Sequence, residues 1–598
     1  MIIEKSKIPF VPLLVFSFIV LFLYLTIYLM DFQFVKNIAH IENTNNLSEK
    51  NIPQYINLYV KSICFICLTG IIFFFSSLII SERLLHRIFR KYFLFLAMFF
   101  FSSYIITFQI LKFKSFHCYI DLAVPLQVLH NVIIGNGPIS SLEEALNGNA
   151  YWFSAHFSPI IYPISIIFSL VPKVETIIVL QTLGFTLTCL PLYWYSNRVL
   201  KNEIASVLFA SAFLLYPPIH YMALYEFEYL KFAIPLLTFT FYFLYRGKYI
   251  LYFIFLLLSL CCREDVSVVT FALGIYIIFV RKEFKIGVLT SAISIVYFVT
   301  LIFYIMPTLR GGHGVFQLTQ YTHLGKNFSE IFHTLLFNPL FVLKILLSPL
   351  RVINFILYTL PVFFFSFFSP SVFFIALPNL LTSFLNGSTA HYTIFLYHLS
   401  PAVPFIFLSS VNGIDNVALF LDKKYSINSK ESLPPSFISP IKKNIVVSCA
   451  FILLIIGILS QYFFGPSPLS RQFWDKNYTL ADFYTHNYHY SNYQVNKHHT
   501  VANEIIKLIP SDATISAQQP LLPHLYDRKK LYIFPDIKDD TEYVLIDKKH
   551  RVKTGIGDFQ MRPQFYYGLI EENSQEWELI KEEDGIFLFK KRYWNYEN

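Results

Sequence analysis

The chain has 598 residues, of which 55% are hydrophobic and only 14% charged, with a formal charge of +9. A soluble chain carries about a quarter of its residues as charges, so these are too few to cover so much surface in water. The composition excludes a soluble enzyme, a disordered chain and a secreted disulfide scaffold, and leaves a multi-pass membrane protein.

In chain order, Pro9 to Met30 is too long for a signal peptide and lacks a small-residue cleavage site, so it reads as a retained helix. Apolar stretches follow at 57–80, 92–112, 174–196, 204–222, 230–245, 249–262, 266–280, 286–306, 352–368, 371–385, 394–412 and 445–464. A crossing takes about 20 residues, so the whole reads as a polytopic helical bundle of about 13 spans. Segment 158–172, interrupted by Pro159, Pro163 and Pro172, reads as a re-entrant or interfacial helix. Aromatic residues make up 19% of the chain, Phe suiting lipid-facing helices and Tyr the headgroup level.

Cys64 and Cys67 form a C-x-x-C inside a span, where two small hydrophobes are a better reading than redox chemistry. Cys118 alone lies in a large polar loop, so no disulfide is implied.

Basic residues orient the bundle. With Lys5 and Lys7 inside, alternation puts five further basic loops on the same side. These hold Arg83, Arg87, Arg90 and Lys91; Arg198 and Lys201; Arg246 and Lys248; Arg281, Lys282 and Lys285; and Lys423, Lys424, Lys442 and Lys443. The N-terminus is then cytoplasmic in the inner membrane, and the outer face receives loop 113–157, the turns near Glu226 and Arg263, loop 307–350, the turn at His391 and the tail. Four segments result: extra spans over 1–91, a transmembrane core over 92–465 with an outer loop at 113–173, a connector over 466–499, and a small extracytoplasmic α/β domain over 500–598. In the last, Val501 to Ile509 has helical spacing. Runs rich in β-formers follow at Thr514–Ala517, Leu531–Pro535, Glu542–Asp547, Trp577–Ile580 and Ile586–Lys590.

Ionisable groups at the lip of a membrane bundle are costly unless paired or facing a wet cavity, so each is a functional candidate. Asp121, in the first outer loop, is either the N-cap of a helix from Leu122 toward Val132 or a catalytic carboxylate, and the two readings weigh equally. His156, before the broken helix, binds phosphate, holds a metal or passes a proton, against the plainer reading of an imidazole bonded to backbone. Glu226 and Glu228 share a face only if the chain between them is extended, which offers a divalent-cation site or simply a solvated turn. Arg263-Glu264-Asp265 joins two short apolar segments, either holding a lipid phosphate through Arg263 or closing the turn as an internal ion pair. His313, His391 and His398 complete the outer polar set.

The order of these pieces resembles a large prokaryotic membrane family, domain of unknown function two-zero-seven-nine, over about residues 115–590. The resemblance is carried by Ile120-Asp-Leu-Ala with Gln127, His156-Phe-Ser-Pro-Ile, Leu190-Pro-Leu-Tyr193 and Tyr216-Pro-Pro218. It continues with Arg263-Glu-Asp-Val266, His391-Tyr, Pro401-x-x-Pro-Phe405, Leu521-Leu-Pro-His524 and Tyr532-Ile-Phe-Pro535. That family is similar to the GT-C membrane glycosyltransferases, and the similarity implies a GT-C-like bundle and an essential acid in the first outer loop, the place of Asp121. Departures are the uncharged Tyr119 and Ala123 two positions from Asp121, and Glu226-Phe-Glu-Tyr-Leu230 where the family often has Asp-Phe-His-Pro-Glu.

Two expectations follow. The first is transfer of a sugar from a polyprenyl-phosphate donor to an envelope glycan or protein acceptor, with Asp121 as general base. Here His156, Arg263, Glu264, Asp265 and His391 bind substrate, and Glu226 with Glu228 offers a place for a divalent cation. The second is a transporter or flippase of a lipid-linked precursor, or a non-catalytic envelope scaffold. The expected partners are the bilayer and these substrates, with no nucleic acid.

Overall fold

The computed structural model describes residues 82–312, 316–426, 439–475, 478, 488–549 and 575–592. The first two apolar segments, the Cys64/Cys67 pair and His313 lie outside these residues. The chain divides into two compact units, Met1–Arg87 and Ile88–Asn598, and the second carries the features below.

Its principal helices are α1 (Glu82–Lys114), α2 (Ile120–Ile133), α3 (Ser141–Asn147), α4 (Ile161–Leu170), α5 (Val174–Leu187), α6 (Cys189–Leu200), α7 (Glu203–Phe213) and α8 (Pro217–Leu224). Then come α9 (Ala233–Tyr245), α10 (Tyr249–Leu260), α11 (Val266–Tyr276), α12 (Phe284–Thr300), α13 (Phe328–Phe337), α14 (Pro339–Leu346), α15 (Pro349–Thr359), α16 (Leu377–Leu385), α17 (Val403–Ser426), α18 (Pro440–Phe464) and α19 (Lys497–Ile506). Among the described residues five helices are long and apolar enough to cross a membrane: Tyr92–Lys114, Val174–Leu200, Phe284–Leu309, Val403–Lys424 and Ile441–Phe464. Two bent pairs, α7 with α8 at 45° and α13 with α14 at 93°, raise this to seven if each is one span.

Two expected spans have different bounds. The run 352–368 is not one helix: after α15, Phe363 and Phe364 adopt left-handed backbone (φ 48° and 55°), a region bulky residues rarely enter. The expected 394–412 helix begins only at Val403. Its first part is irregular, yet Tyr392, Ile394 and Leu399 are buried. Their hydrophobicity answers to protein interior and not to lipid. Where irregular backbone does meet membrane depth, burial in protein is the condition that permits it.

Several helices share one polarity. α9 follows the turn at Lys231, near Glu226, and ends before Arg246; α11 follows Arg263-Glu264-Asp265 and points toward Arg281; α17 begins after His398 and ends near Lys423 and Lys424. The basic ends meet: Arg281 Nη2 donates to Leu244 O at 3.4 Å, the Tyr195 and Tyr245 rings lie 4.9 Å apart, Tyr195 donates to Asn412 at 2.8 Å, and Lys442 pairs with Asp415 at 2.8 Å. The basic loops around Arg246, Arg281 and Lys442 therefore gather at one end of the bundle, away from Glu226, Glu264 and His398.

Close packing fixes the crossings. A Cβ on Gly274 of α11 would lie 2.2 Å from Ser291 Oγ of α12, and one on Gly413 of α17 would lie 1.9 Å from Phe365 O. Small residues let membrane helices approach in this way.

The tail forms a five-stranded sheet of β1 (Thr514–Ala517), β2 (Lys530–Ile533), β3 (Tyr543–Asp547), β4 (Trp577–Glu583) and β5 (Ile586–Lys591), in the order β2-β1-β3-β5-β4. β1 is parallel to β2 and β3, whereas β5 is antiparallel to β3 and β4. Alternation along the strands feeds two faces. Ile515, Leu531, Leu545 and Leu588 join the main core, while Val544, Ile546, Phe587 and Phe589 form a second cluster with Phe534 and Trp577.

The tail is seated on the end of α1, the segment that follows it and the start of α3. Leu531 N–H donates to Ser141 Oγ at 2.8 Å and Ser141 Oγ returns a bond to Leu531 O at 3.0 Å. The His524 ring stacks on Phe113 and Phe116 at 4.1 and 3.9 Å.

Candidate functional site

Asp121 does not cap α2. The helix begins one residue earlier, at Ile120 after Tyr119, whose side chain makes no capping bond. Asp121 thus lies in the first turn with its carboxylate free for another partner, and the Tyr225 hydroxyl donates to it. Burial pushes the Asp121 carboxyl up, against the opposing pull of Tyr225 and nearby lysines.

Glu226 and Glu228 follow Tyr225 in the irregular link between α8 and α9. The backbone is extended at both ends of this link, at Tyr225 and at Glu228. The solvated-turn reading fails, because Glu226 is 2% exposed and Glu228 8%. Glu226 Oε1 accepts the Tyr119 N–H at 2.8 Å, tying the link to the start of α2. Burial first and the charge of Asp121 second raise Glu226 to about 8. Glu228 is raised by burial and by Asp121, while a hydrogen bond from Tyr397 works the other way.

Two lysines brace these acids. Lys231, 1% exposed, donates to the Glu226 carbonyl. Its Nζ lies 5.3 and 5.7 Å from the ring centroids of Tyr225 and Tyr397, within cation–π range. Lys112, at the end of α1, donates to Leu224 O at 3.0 Å. Gln109, one turn earlier, donates to the carbonyls of Ala223 and Tyr225. The last turn of α1 thus grips the carbonyls that end α8 and holds the acidic link in place.

The three charges at 263–265 divide. Arg263 forms a two-pronged pair with Asp265, Nε to Oδ1 at 3.0 Å and Nη2 to Oδ2, so the turn-closing ion pair is present and Nη1 lies outside it. Glu264 turns to the other side. It faces His156 Nδ1 at 3.3 Å and accepts the Phe157 N–H at 3.0 Å. His156 therefore pairs with a carboxylate, not with backbone. Burial disfavours its protonation, the Glu264 carboxylate outweighs this, and the His156 pKa is raised. Glu264 is correspondingly lowered, His156 and Arg263 overcoming its burial.

His391 stacks on His398 with ring centroids 4.0 Å apart, and both Nδ1 atoms are buried without a hydrogen-bond partner. Burial lowers His391 to about 3, with Arg263 and His156 adding to the effect.

Electrostatics join these parts into one site. Glu228 experiences the charges of Asp121, His156 and Arg263, and His398 those of Arg263 and His156. Asp121, Glu226, Glu228, Arg263, Glu264, Asp265, His156 and His391 thus belong to one end of the bundle. Among the described residues no group of three or more His, Cys, Asp or Glu is arranged to hold a metal ion. The arrangement offers a half-buried carboxylate beside a second acid, with fixed cations that favour a developing or resident anion.

Sequence reasoning passed over Tyr225, Tyr397, Lys112 and Lys231. Lys231 carried a signal, since it is a lone charge at the start of the apolar run 230–245. Tyr397 carried none, because a tyrosine in an aromatic-rich chain is ordinary.

The family model described as "Predicted membrane protein (DUF2079)" matches residues 112–588, and the chain belongs to that family. The curated proteins give no match to the sequence. Among solved structures, the chain is similar to ArnT from Cupriavidus metallidurans bound to undecaprenyl phosphate, with 9% identity and a TM-score of 0.44 over 82% of this chain and 97% of that one. It is also similar to the Archaeoglobus fulgidus oligosaccharyltransferase in the apo form, with 12% identity and a TM-score of 0.37 over 77% and 70%. The archaeal oligosaccharyltransferase AglB from Archaeoglobus fulgidus, in complex with an inhibitory peptide and a dolichol-phosphate, matches with 12% identity and a TM-score of 0.37 over 85% and 75%.

Proposed function

We propose that this member of the DUF2079 family is a membrane glycosyltransferase that moves a sugar from a polyprenyl-phosphate donor to an envelope acceptor. One observation carries the reading: Asp121, aligned by the Tyr225 hydroxyl, shares one end of the bundle with Lys231, Lys112 and Arg263. A carboxylate with an aligned hydroxyl partner is suited to take a proton. Cations at the membrane boundary suit a phosphate delivered on a lipid.

In the proposed reaction Asp121 accepts the proton of the acceptor hydroxyl, whose oxygen attacks the anomeric carbon of the donor sugar. The bond from that carbon to the phosphate oxygen breaks, and polyprenyl phosphate leaves with the bonding electrons. Arg263 and the lysines offset the charge that builds on the leaving phosphate. His156, protonated beside Glu264, is available to return a proton to it.

The orientation belongs to the same proposal. The basic loops, gathered at one end of the bundle, face the cytoplasm by the positive-inside rule, and the site with the tail sheet faces outward from the inner membrane. A transporter would place its ionisable groups near the midplane of broken helices, whereas here they stand at helix ends.

Asp121→Asn in the purified protein tests the reading. The substitution keeps the shape and removes the base, and transfer falls about 100-fold or more while the protein remains folded. Transfer at the wild-type rate by Asp121→Asn would remove Asp121 from the mechanism.

A further inference from the structure

α13 and α14 carry apolar surface that the described chain leaves uncovered. α14 reads Pro-Leu-Phe-Val-Leu-Lys-Ile-Leu, apolar on every side except at Lys344, yet none of its residues is buried and Leu340 is 81% exposed. A helix that is apolar all round is stable only where something covers it. α13 is amphipathic. Phe328, Ile331, Phe332, Leu335 and Leu336 share one face, and Ser329, Glu330, His333 and Thr334 share the opposite one. No residue of α13 is buried either. Between His333 and Lys344 the sequence has no ionisable group.

The pair does not cross the bilayer. By helical rise α13 and α14 are about 15 and 12 Å long, against about 30 Å of hydrocarbon, and they meet at 93°. Both ends also return to one stretch of chain, 384–387. Before α13, Gln320 O accepts the Gly387 N–H at 2.9 Å and Gln320 Oε1 accepts from Asn386 Nδ2 at 2.7 Å. After α14, Arg351 donates to Phe384 O at 2.6 Å and to Asn386 O at 2.9 Å, with its guanidinium 4.7 Å from the Tyr392 ring centroid. The elbow therefore leaves and re-enters the bundle beside His391.

Its depth follows from one ring contact. Phe328 packs on Phe303 with centroids 5.4 Å apart, and Phe303 belongs to the candidate span Phe284–Leu309. That contact puts Phe328 roughly 9 Å inside the end of the span. The adjoining face of the span is itself open, with Val296, Val299 and Phe303 exposed. The uncovered face of the elbow thus continues a face already turned to lipid. Its polar groups fit the membrane boundary. The Glu330 carboxylate accepts the Lys326 N–H at 2.8 Å and an Asn327 Nδ2–H at 2.9 Å, at the foot of α13. Lys344 has a stem long enough to carry its ammonium to the headgroups. Backbone groups freed at the Asn338-Pro339 bend find polar partners at that level and none in hydrocarbon.

We propose that α13 and α14 form a re-entrant elbow seated in the phospholipid of one leaflet, at the end of the bundle that carries the candidate site. Acyl chains cover α14 and the apolar face of α13, and headgroups meet the polar face of α13 and the bend. The expectation that loop 307–350 stands in water is thereby narrowed to the parts of it outside the elbow. The elbow anchors to the membrane the segment that leads into His391 and His398.

Spin labels on single cysteines test the proposal, in the full-length chain with its seven native cysteines replaced and in phosphatidylcholine liposomes. Phe332→Cys, Leu340→Cys and Leu343→Cys place the label at exposed positions, where no packing is lost. Lipid-soluble oxygen is expected to relax these labels severalfold more than a water-soluble nickel chelate does. His333→Cys, on the polar face of α13, is expected to show the opposite order. Nickel dominant at all four positions would put the elbow in water and overturn the proposal. Low access to both reagents at the three apolar positions would show protein covering them, a second copy or another part of the chain, and would overturn it equally. The second measurement uses the wild type. A phosphatidylcholine with a diazirine on its acyl chain is irradiated in the same liposomes and the adducts are mapped by peptide mass spectrometry. Adducts are expected within 328–347 as well as on 296–303 of the neighbouring span. Adducts on the span with none on the elbow would overturn the proposal. Neither measurement reads sugar transfer, so the elbow is decided whatever becomes of the transferase reading.

Discussion

His156 and Glu264 set a pH window that the residues themselves predict. In the folded protein His156 is raised above its ordinary 6.5 and Glu264 is lowered below its ordinary 4.5. The His156 contribution to stability is complete below 6.5 and disappears as pH rises through its folded value. The Glu264 contribution is present above 4.5 and disappears as pH falls through its folded value. Thermal midpoints in detergent are therefore expected to decline on the alkaline side of neutrality, and His156→Gln removes that decline. An unchanged alkaline slope in His156→Gln would assign it to another group. At this scale the sequence displayed the chemistry but not the pairing. Asp121 was visible as a candidate because a carboxylate in an apolar chain is costly. That it lies inside α2 and receives a phenol depends on Tyr225, more than a hundred positions away. Arg263, Glu264 and Asp265 were legible as charges joining two helices. Which of them closes the turn and which reaches His156 depends on the fold around them.

Among the elements, the tail shows how much local pattern reveals. All five β-rich runs form strands, and the helix expected over Val501 to Ile509 appears as α19, beginning earlier at Lys497 because Asn496 and His499 make a capping box. What joins these elements was not legible. His498 of α19 stands between two carboxylates, Nε2 to Asp547 at 2.9 Å and Nδ1 to Asp584 at 2.9 Å, one at the end of β3 and one in the β4–β5 turn. Burial is the largest single effect on the ring and disfavours its protonation, but the carboxylates at its two nitrogens together outweigh this and raise its pKa. His498→Ala leaves Asp547 without that partner and is expected to cost about 1–3 kcal/mol. Hydrogen exchange in β3 and β5 should rise in the variant below neutral pH, and the difference should fade as alkaline pH removes the wild-type proton. Equal protection in the two proteins at pH 6 would show that the bridge contributes nothing. The membrane helices were legible in number only coarsely. Hydropathy cannot separate lipid-facing from protein-buried apolar residues, so the irregular segment before Val403 reads like a span.

At the largest scale, the described bundle within Ile88–Asn598 is polarised along its helices. Arg281, Tyr195 and Lys442 join neighbouring helices at one end, and Asp121, Glu226, Glu264, His156 and the tail sheet lie at the other. The low charge content divides accordingly: basic residues are spread among the loops between helices, Glu226, Glu228 and Glu264 are buried in the site, and other acids lie exposed on the tail. In the proposed reading, the buried site favours a transferase over a scaffold, and its position at the helix ends favours a transferase over a transporter. The most direct test is to reconstitute the wild type and Asp121→Asn in liposomes carrying a polyprenyl-phosphate sugar, with envelope acceptors supplied on the tail-domain side. The account predicts that wild type joins the sugar covalently to acceptor and releases polyprenyl phosphate, and that Asp121→Asn does neither. Movement of the lipid-linked sugar across the bilayer with no product, equally in both proteins, would contradict it.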